Sequence, residues 1–94
     1  MIIIRQPNDC VLEITGHATS QICASVSTIT CVLHNLLTEF DDVFYYNDDG
    51  DKMKFAITDS ESAHKIMNVC VDCLKQLAEQ YPQFVKYTQN KRHD

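Results

Sequence analysis

Glycine and proline occur only twice each in 94 residues, which excludes collagen-like repeats and flexible low-complexity chain. Long apolar runs are missing as well. No segment approaches the roughly eighteen or more uninterrupted apolar residues of a membrane span, so no membrane partner is expected. Met1-Ile2-Ile3-Ile4 runs at once into Arg5 and Pro7, too short a stretch for a secretory leader. Positive charge is scarce, with eight Lys and Arg against thirteen acids and a net charge of −5. Without a basic patch, nucleic acid is excluded as the main partner. The acids gather at Asp41, Asp42, Asp48, Asp49 and Asp51. That cluster reads as a solvated turn, with attraction of a basic polypeptide as the functional alternative. Cysteine, by contrast, is plentiful. Five thiols, an odd number without a leader, do not make a disulfide framework, and they read as reduced cysteines of a cytoplasmic protein.

The length fits one domain, placed at residues 1–88 with a polar tail at 89–94 that includes His93. A chain this short buries roughly two-thirds of its unfolded surface. A reactive site therefore belongs in a shallow groove at an element end, or between two subunits.

Residues 1–6 are β-branched and extended, Pro7-Asn8-Asp9 is turn chemistry, and Cys10 to Thr15 returns as the second arm of a hairpin that Gly16 ends. Ile22, Val26, Ile29, Leu33, Leu36 and Phe40 recur at spacings of three and four and predict a helix over 21–40, with Thr19 or Ser20 as its cap. Residues 42–47 and 52–58 flank Asp48-Asp49-Gly50-Asp51, a second hairpin signal. A last helix is predicted from Glu61 to Tyr81, capped by Asp59 or Ser60. Its inward residues are Ala63, Ile66, Met67, Cys70, Leu74, Leu77 and Tyr81. Phe84, Val85 and Tyr87 supply a short edge strand. The order ββαββα predicts an α+β two-layer sandwich, two helices on a four- or five-stranded, mostly antiparallel sheet.

The five thiols are not equivalent. Cys70-Val71-Asp72-Cys73 spells CxxC in mid-helix, away from the N-terminal dipole that activates redox pairs. No second ligand pair completes a zinc site, and His64 is six residues off on the same helix, so core packing is the better reading. Cys10 begins a strand and carries no signal. Cys31 and His34, at i and i+3, lie too far inside a helix to have free backbone donors. Cys23 falls in the first helical turn, where unpaired N–H groups and the macrodipole favour an anion. The same N–H groups can hold an oxyanion. His17 leaves the preceding strand six residues upstream, near enough to turn back as a general base. Cys23, Ser27, Thr30 and His34 share one helix flank, which lets Ser27 assist. The bland alternative is a cysteine that packs and a serine that faces water.

These residues resemble the ribosomal-processing cysteine protease (Prp) family. Gly16-His17-Ala18 looks like its GHA motif, and Cys23-Ala24-Ser25-Val26-Ser27 like its C-A-x-V-S motif at the start of the first helix. The element order and the closing Leu74 to Pro82 segment are also similar. The resemblance implies catalytic His17 and Cys23, an assisting Ser27, a homodimer, and removal of an N-terminal extension from a large-subunit ribosomal protein. Phage-encoded relatives are thought to process virion proteins. The chain departs from the pattern between the motifs: Thr19-Ser20-Gln21-Ile22 replaces a longer loop, and Ser20 stands where the family carries an Asp. That trimmed loop fits a divergent phage or prophage member.

The expected chemistry is hydrolysis by a Cys-His dyad, with Ser20 contributing to capping or the oxyanion site and no metal or cofactor required. The alternative function is a non-catalytic, dimeric binding or assembly protein of the same fold.

Overall fold

A computed structural model describes residues 1–89. The elements are β1 (Ile2–Asn8), β2 (Val11–Gly16), α1 (Ser20–Glu39), β3 (Val43–Asp48), β4 (Lys52–Ile57), α2 (Glu61–Gln80) and β5 (Val85–Gln89). The strands form one sheet in the order β3-β4-β2-β1-β5. All neighbours are antiparallel except β1 and β5, which run parallel because α2 carries the chain back across the sheet. This is the expected α+β sandwich with its fifth strand present. Gln89 is the last residue of β5, so it does not belong to the tail. His93 lies outside the described residues.

Alternation sorts each strand into a helix-facing and an outer side. Ile2, Ile4, Leu12, Ile14, Phe55, Ile57 and Val85 face the helices and form one core with the inner stripes of α1 and α2. The α1 stripe is Ile22, Val26, Thr30, Leu33 and Leu37 rather than the expected run through Ile29, Leu36 and Phe40. Leu36 and Phe40 are exposed. Thr30 is tolerated inside because its hydroxyl donates to the Ser27 carbonyl at 3.1 Å. In α2, Val71 is buried while Tyr81, the residue after the helix, is exposed. Cys70 packs in the core as expected, but Cys73 faces solvent.

The first strand runs further than its turn chemistry suggested. Pro7 belongs to β1, at the place where the β1–β2 register shifts between Arg5 and Asn8, so its missing N–H breaks no regular ladder. The turn is Asp9-Cys10, closed by Asn8 Oδ1 accepting from the Cys10 N–H at 2.8 Å. On the outer side of the sheet Glu13 is buried under three cations. Lys52 lies at 3.0 Å, Arg5 at 3.7 Å and Lys54 at 3.9 Å, and the Lys52 hydrogen bond holds the Glu13 carboxyl below its usual range.

The end of α1 sets up the second half of the molecule. Asp41 takes φ 56°, its N–H donates to the Thr38 carbonyl and that of Asp42 to the Leu37 carbonyl, a Schellman turn with Asp in the place glycine usually takes. Asp42 is thereby delivered, buried, to the start of α2. Ser62 reaches one of its oxygens at 2.6 Å, and Ser60 and Thr58 the other at 2.8 and 3.0 Å. These hydroxyls, Ser62 first, hold the Asp42 carboxyl below its ordinary value. Ser60 also caps α2 through the Ala63 N–H.

Candidate active site

Gly16 ends β2 with φ +90°, a conformation that suits glycine alone, and a Cβ there would run into the Met1 carbonyl. The chain turns sharply at this point, and the Met1 amino group donates to the His17 carbonyl at 2.6 Å. His17 is thus set at the mouth of a cavity of about 250 Å³. Cys23, Ser27, Asp48, Asp51 and Lys52 line the same cavity, with Ile2, Ile14, Val26 and Met53 as its floor. His17, Cys23 and Ser27 therefore meet in one place, from one strand end and one helix.

The cap of α1 is Thr19, not Ser20. Its hydroxyl accepts from the Ile22 N–H at 3.4 Å and its carbonyl from the Cys23 N–H at 2.9 Å. Ser20 is the first helical residue instead, because the extended conformation that a cap requires falls on Thr19. The first-turn donors are thus partly used. Within the first turn of α1, the N–H groups of Ser20 and Gln21 are left without a protein acceptor.

Cys23 sits one turn into the helix, half-buried, with Sγ folded back on the residue after His17. The Ala18 N–H donates to Sγ at 3.4 Å, and the thiol can donate to the Ala18 carbonyl at 3.6 Å. The short Ala18–Ile22 link supplies this contact by bringing the strand exit back over the helix start. The His17 ring does not hydrogen-bond to Cys23 in this conformation. Its Nε2 lies 3.6 Å from Asp51 Oδ1, and both groups are largely exposed. Catalytic hydrogen bonds commonly close only around substrate.

Asp48 and Asp51, read from the sequence as a solvated turn, and Lys52, read as the start of a strand, also line this cavity. The sheet order explains their arrival, because Thr15 of β2 pairs with Lys52 of β4 and so lays the β3–β4 tip beside His17. Asp49 holds that tip together, accepting from the Lys52 and Asp51 N–H groups at 2.8 and 3.0 Å. Those bonds keep its carboxyl below the usual range.

The remaining thiols lack such surroundings. Cys70 is in the core, and burial pushes its thiol up. Burial, followed by the charges of Asp59 and Asp9, does the same to Cys10. Cys31 is exposed and receives the Asn35 amide at 3.6 Å. Its neighbour His34 stacks on Tyr46, ring centroids 4.3 Å apart, a packing role. Thr30, on the same flank, is buried, so only Cys23 and Ser27 of that flank reach the cavity with His17.

A thiol and an imidazole thus line one cavity of a small α+β domain built from two helices and a mixed five-stranded sheet. The sequence profile of the cysteine protease Prp family matches residues 2–86, and the chain belongs to that family. Among solved structures it is similar to an essential ribosomal processing protease Prp from S. aureus in complex with a covalently linked product peptide. That likeness has a TM-score of 0.80 at 21% identity and covers 95% of this chain and 99% of that one. The same S. aureus protease with a substrate peptide gives 0.73 at 16% identity, covering 94% and 96%. SMU.848 from Streptococcus mutans gives 0.75 at 26% identity, covering 97% and 91%. No curated protein sequence matches significantly.

Proposed function

We propose that this chain hydrolyses a peptide bond in a protein substrate with Cys23 as nucleophile and His17 as general base. The observation that carries the reading is the shared cavity, in which the two side chains and Ser27 face the N-terminal turn of α1. In the reaction His17 rotates from Asp51 to take the Cys23 proton, and the Ala18 N–H steadies the thiolate. The sulfur attacks the scissile carbonyl, whose oxygen is received by the N–H groups of Ser20 and Gln21. The imidazolium then gives its proton to the leaving amine, and water, deprotonated by His17, releases the acyl group from sulfur. Asp51 steadies the imidazolium from outside. Ser27, one turn after Cys23, orients the substrate backbone.

The substrate class that suits the family is the N-terminal extension of a large-subunit ribosomal protein, with virion-protein processing as the phage-related version. The acids Asp48 and Asp51 at the cavity rim favour a basic segment in either case. A cytoplasmic location accords with both.

Thiol labelling tests the reading without a substrate. With iodoacetamide near neutral pH, Cys23 should react before the other four cysteines when modified peptides are followed by mass spectrometry. Cys10 and Cys70, whose thiols are pushed up, should be slow. Uniformly slow labelling of all five would favour the non-catalytic binding or assembly protein.

The protein acts as a homodimer in this reading. α1 is long and apolar enough by composition to cross a bilayer, yet only its inner stripe is fully buried within the fold. Its second apolar face, Ile29, Val32 and Leu36, forms a groove of about 370 Å³ with Ile66 and Val69 of α2. A helix apolar on both sides calls for cover on both, and a two-fold axis would let the same groove supply it from each copy. Val69→Glu should convert the dimer to monomer in light scattering. A wild-type monomer at tens of micromolar would remove this part of the proposal.

A further inference from the structure

At the far end of β2 from His17, three side chains from separate elements converge. Cys10 lies in the β1–β2 turn, Asp59 in the β4–α2 connection and His64 at the fourth residue of α2. Their sulfur, carboxylate and imidazole atoms all fall within 4.8 Å of one another. Six residues of strand separate the two ends, about 20 Å, so this cluster is independent of the cavity around Cys23. We propose that Cys10, Asp59 and His64 form a binding site for a divalent cation of the zinc class.

The geometry of one atom carries the argument. His64 Nε2 lies 2.7 Å from Asp59 Oδ1 and 4.0 Å from Cys10 Sγ, so both partners aim at the same nitrogen. An imidazole nitrogen offers one proton or one lone pair. A hydrogen bond therefore serves Asp59 and leaves the sulfur at a long, weak distance, whereas a cation between the three satisfies all of them. Bond lengths of roughly 2.0–2.3 Å in a tetrahedral arrangement place such ligand atoms about 3.3–3.6 Å apart. The two separations from His64 lie on either side of that range, each about half an ångström from it, and the third pair lies within 4.8 Å.

The framework around the three ligands is already fixed. Cys10 is held through its N–H to Asn8 and through its carbonyl, which accepts from Ile57 at 2.9 Å. Asp59 is bracketed by Thr58 and Ser60, both tied to the buried Asp42. The His64 N–H is anchored on the Ser60 carbonyl at 3.1 Å. Sulfur and imidazole donors select zinc-class ions over magnesium or calcium. A thiolate, a carboxylate and a neutral imidazole bring the charge of a divalent ion to zero, with water in the fourth position. On binding, the Cys10 proton leaves to solvent and the His64 ring proton moves to Nδ1, a net release of one proton from the protein. The bound ion would tie the β1–β2 turn to the start of α2.

The test uses the full chain, freed of metal by a chelator and titrated with Zn²⁺ and, separately, Co²⁺. Wild type and Cys23→Ala should each bind one equivalent of Zn²⁺ and show the near-ultraviolet thiolate-to-cobalt absorption band. Cys10→Ala should lose that band, and His64→Ala should weaken Zn²⁺ binding by more than about tenfold. His64 and Asp59 reach solvent, so His64→Ala and Asp59→Asn keep the test decisive if Cys10→Ala fails to fold. Absence of binding to wild type, or equal binding by the His64 and Asp59 variants, would overturn the proposal.

Discussion

Cys23→Ala should lower cleavage of a cognate peptide by about 10⁴-fold or more while leaving the circular dichroism spectrum and the melting temperature close to wild type. The size of the effect follows from the sulfur's place in the reaction: every later step passes through the acyl bond it forms. The small structural effect follows from its surroundings. Cys23 is half-buried at the margin of the core, alanine keeps its Cβ there, and its polar contacts are two long bonds to the Ala18 backbone. His17→Ala should cost nearly as much in turnover. The double variant should be no slower than Cys23→Ala alone, because nucleophile and base act as a unit. Asp51→Asn should lose less than about tenfold, since an ion pair between two exposed groups contributes little. Peptides from a ribosomal-protein N-terminus and from virion proteins are the substrates to assay. Cleavage by Cys23→Ala at the wild-type rate would end the assignment, and a loss in Cys23→Ala with full activity in His17→Ala would assign the base elsewhere.

Much of this arrangement was legible in the chain because it is local. The hairpins, both helices and the convergence of His17, Cys23 and Ser27 depend on residues close in sequence, read through periodicity and turn chemistry. The sharper details were set by partners far along the chain. Leu36 and Leu37 are both apolar neighbours, and the sheet beneath α1 decides that Leu37 goes in. A threonine carries no apolar signal, so the pattern puts Thr30 on the flank beside the stripe rather than in it. The Asp48–Asp51 tip reads as a solvated turn until the β4–β2 pairing brings it against His17. The Cys10–His64 contact joins residues 54 apart, and His64 was weighed only against Cys70 and Cys73 on its own helix. In each case the local pattern found the element, but it turned α1 toward Leu36 and Phe40 and did not show what the other elements meet.

Gly16→Ala is expected to be the most destabilising single methyl group that can be added to this protein, at about 3 kcal/mol, or a fall of about 15 °C in melting temperature. Two penalties combine there. The backbone holds φ +90°, which side chains with a Cβ rarely adopt, and the added carbon would meet the Met1 carbonyl oxygen, part of the backbone and unable to swing away. Gly50 separates the two. It holds nearly the same angle, φ +92°, but nothing lies within 4 Å of a Cβ built on it. Gly50→Ala should therefore show the conformational strain alone, about 1 kcal/mol. The difference between the two variants in urea denaturation measures the clash. Because His17 is the next residue and its carbonyl is bound by the Met1 amino group, relief of the clash must shift one or the other. Gly16→Ala should consequently lose turnover even at temperatures where it is fully folded, and Cys23 labelling should slow as the Ala18 donor moves off the sulfur. Equal destabilisation of the two glycine variants would show that the Met1 contact yields freely, and with it the claim that Gly16 fixes the geometry of the site.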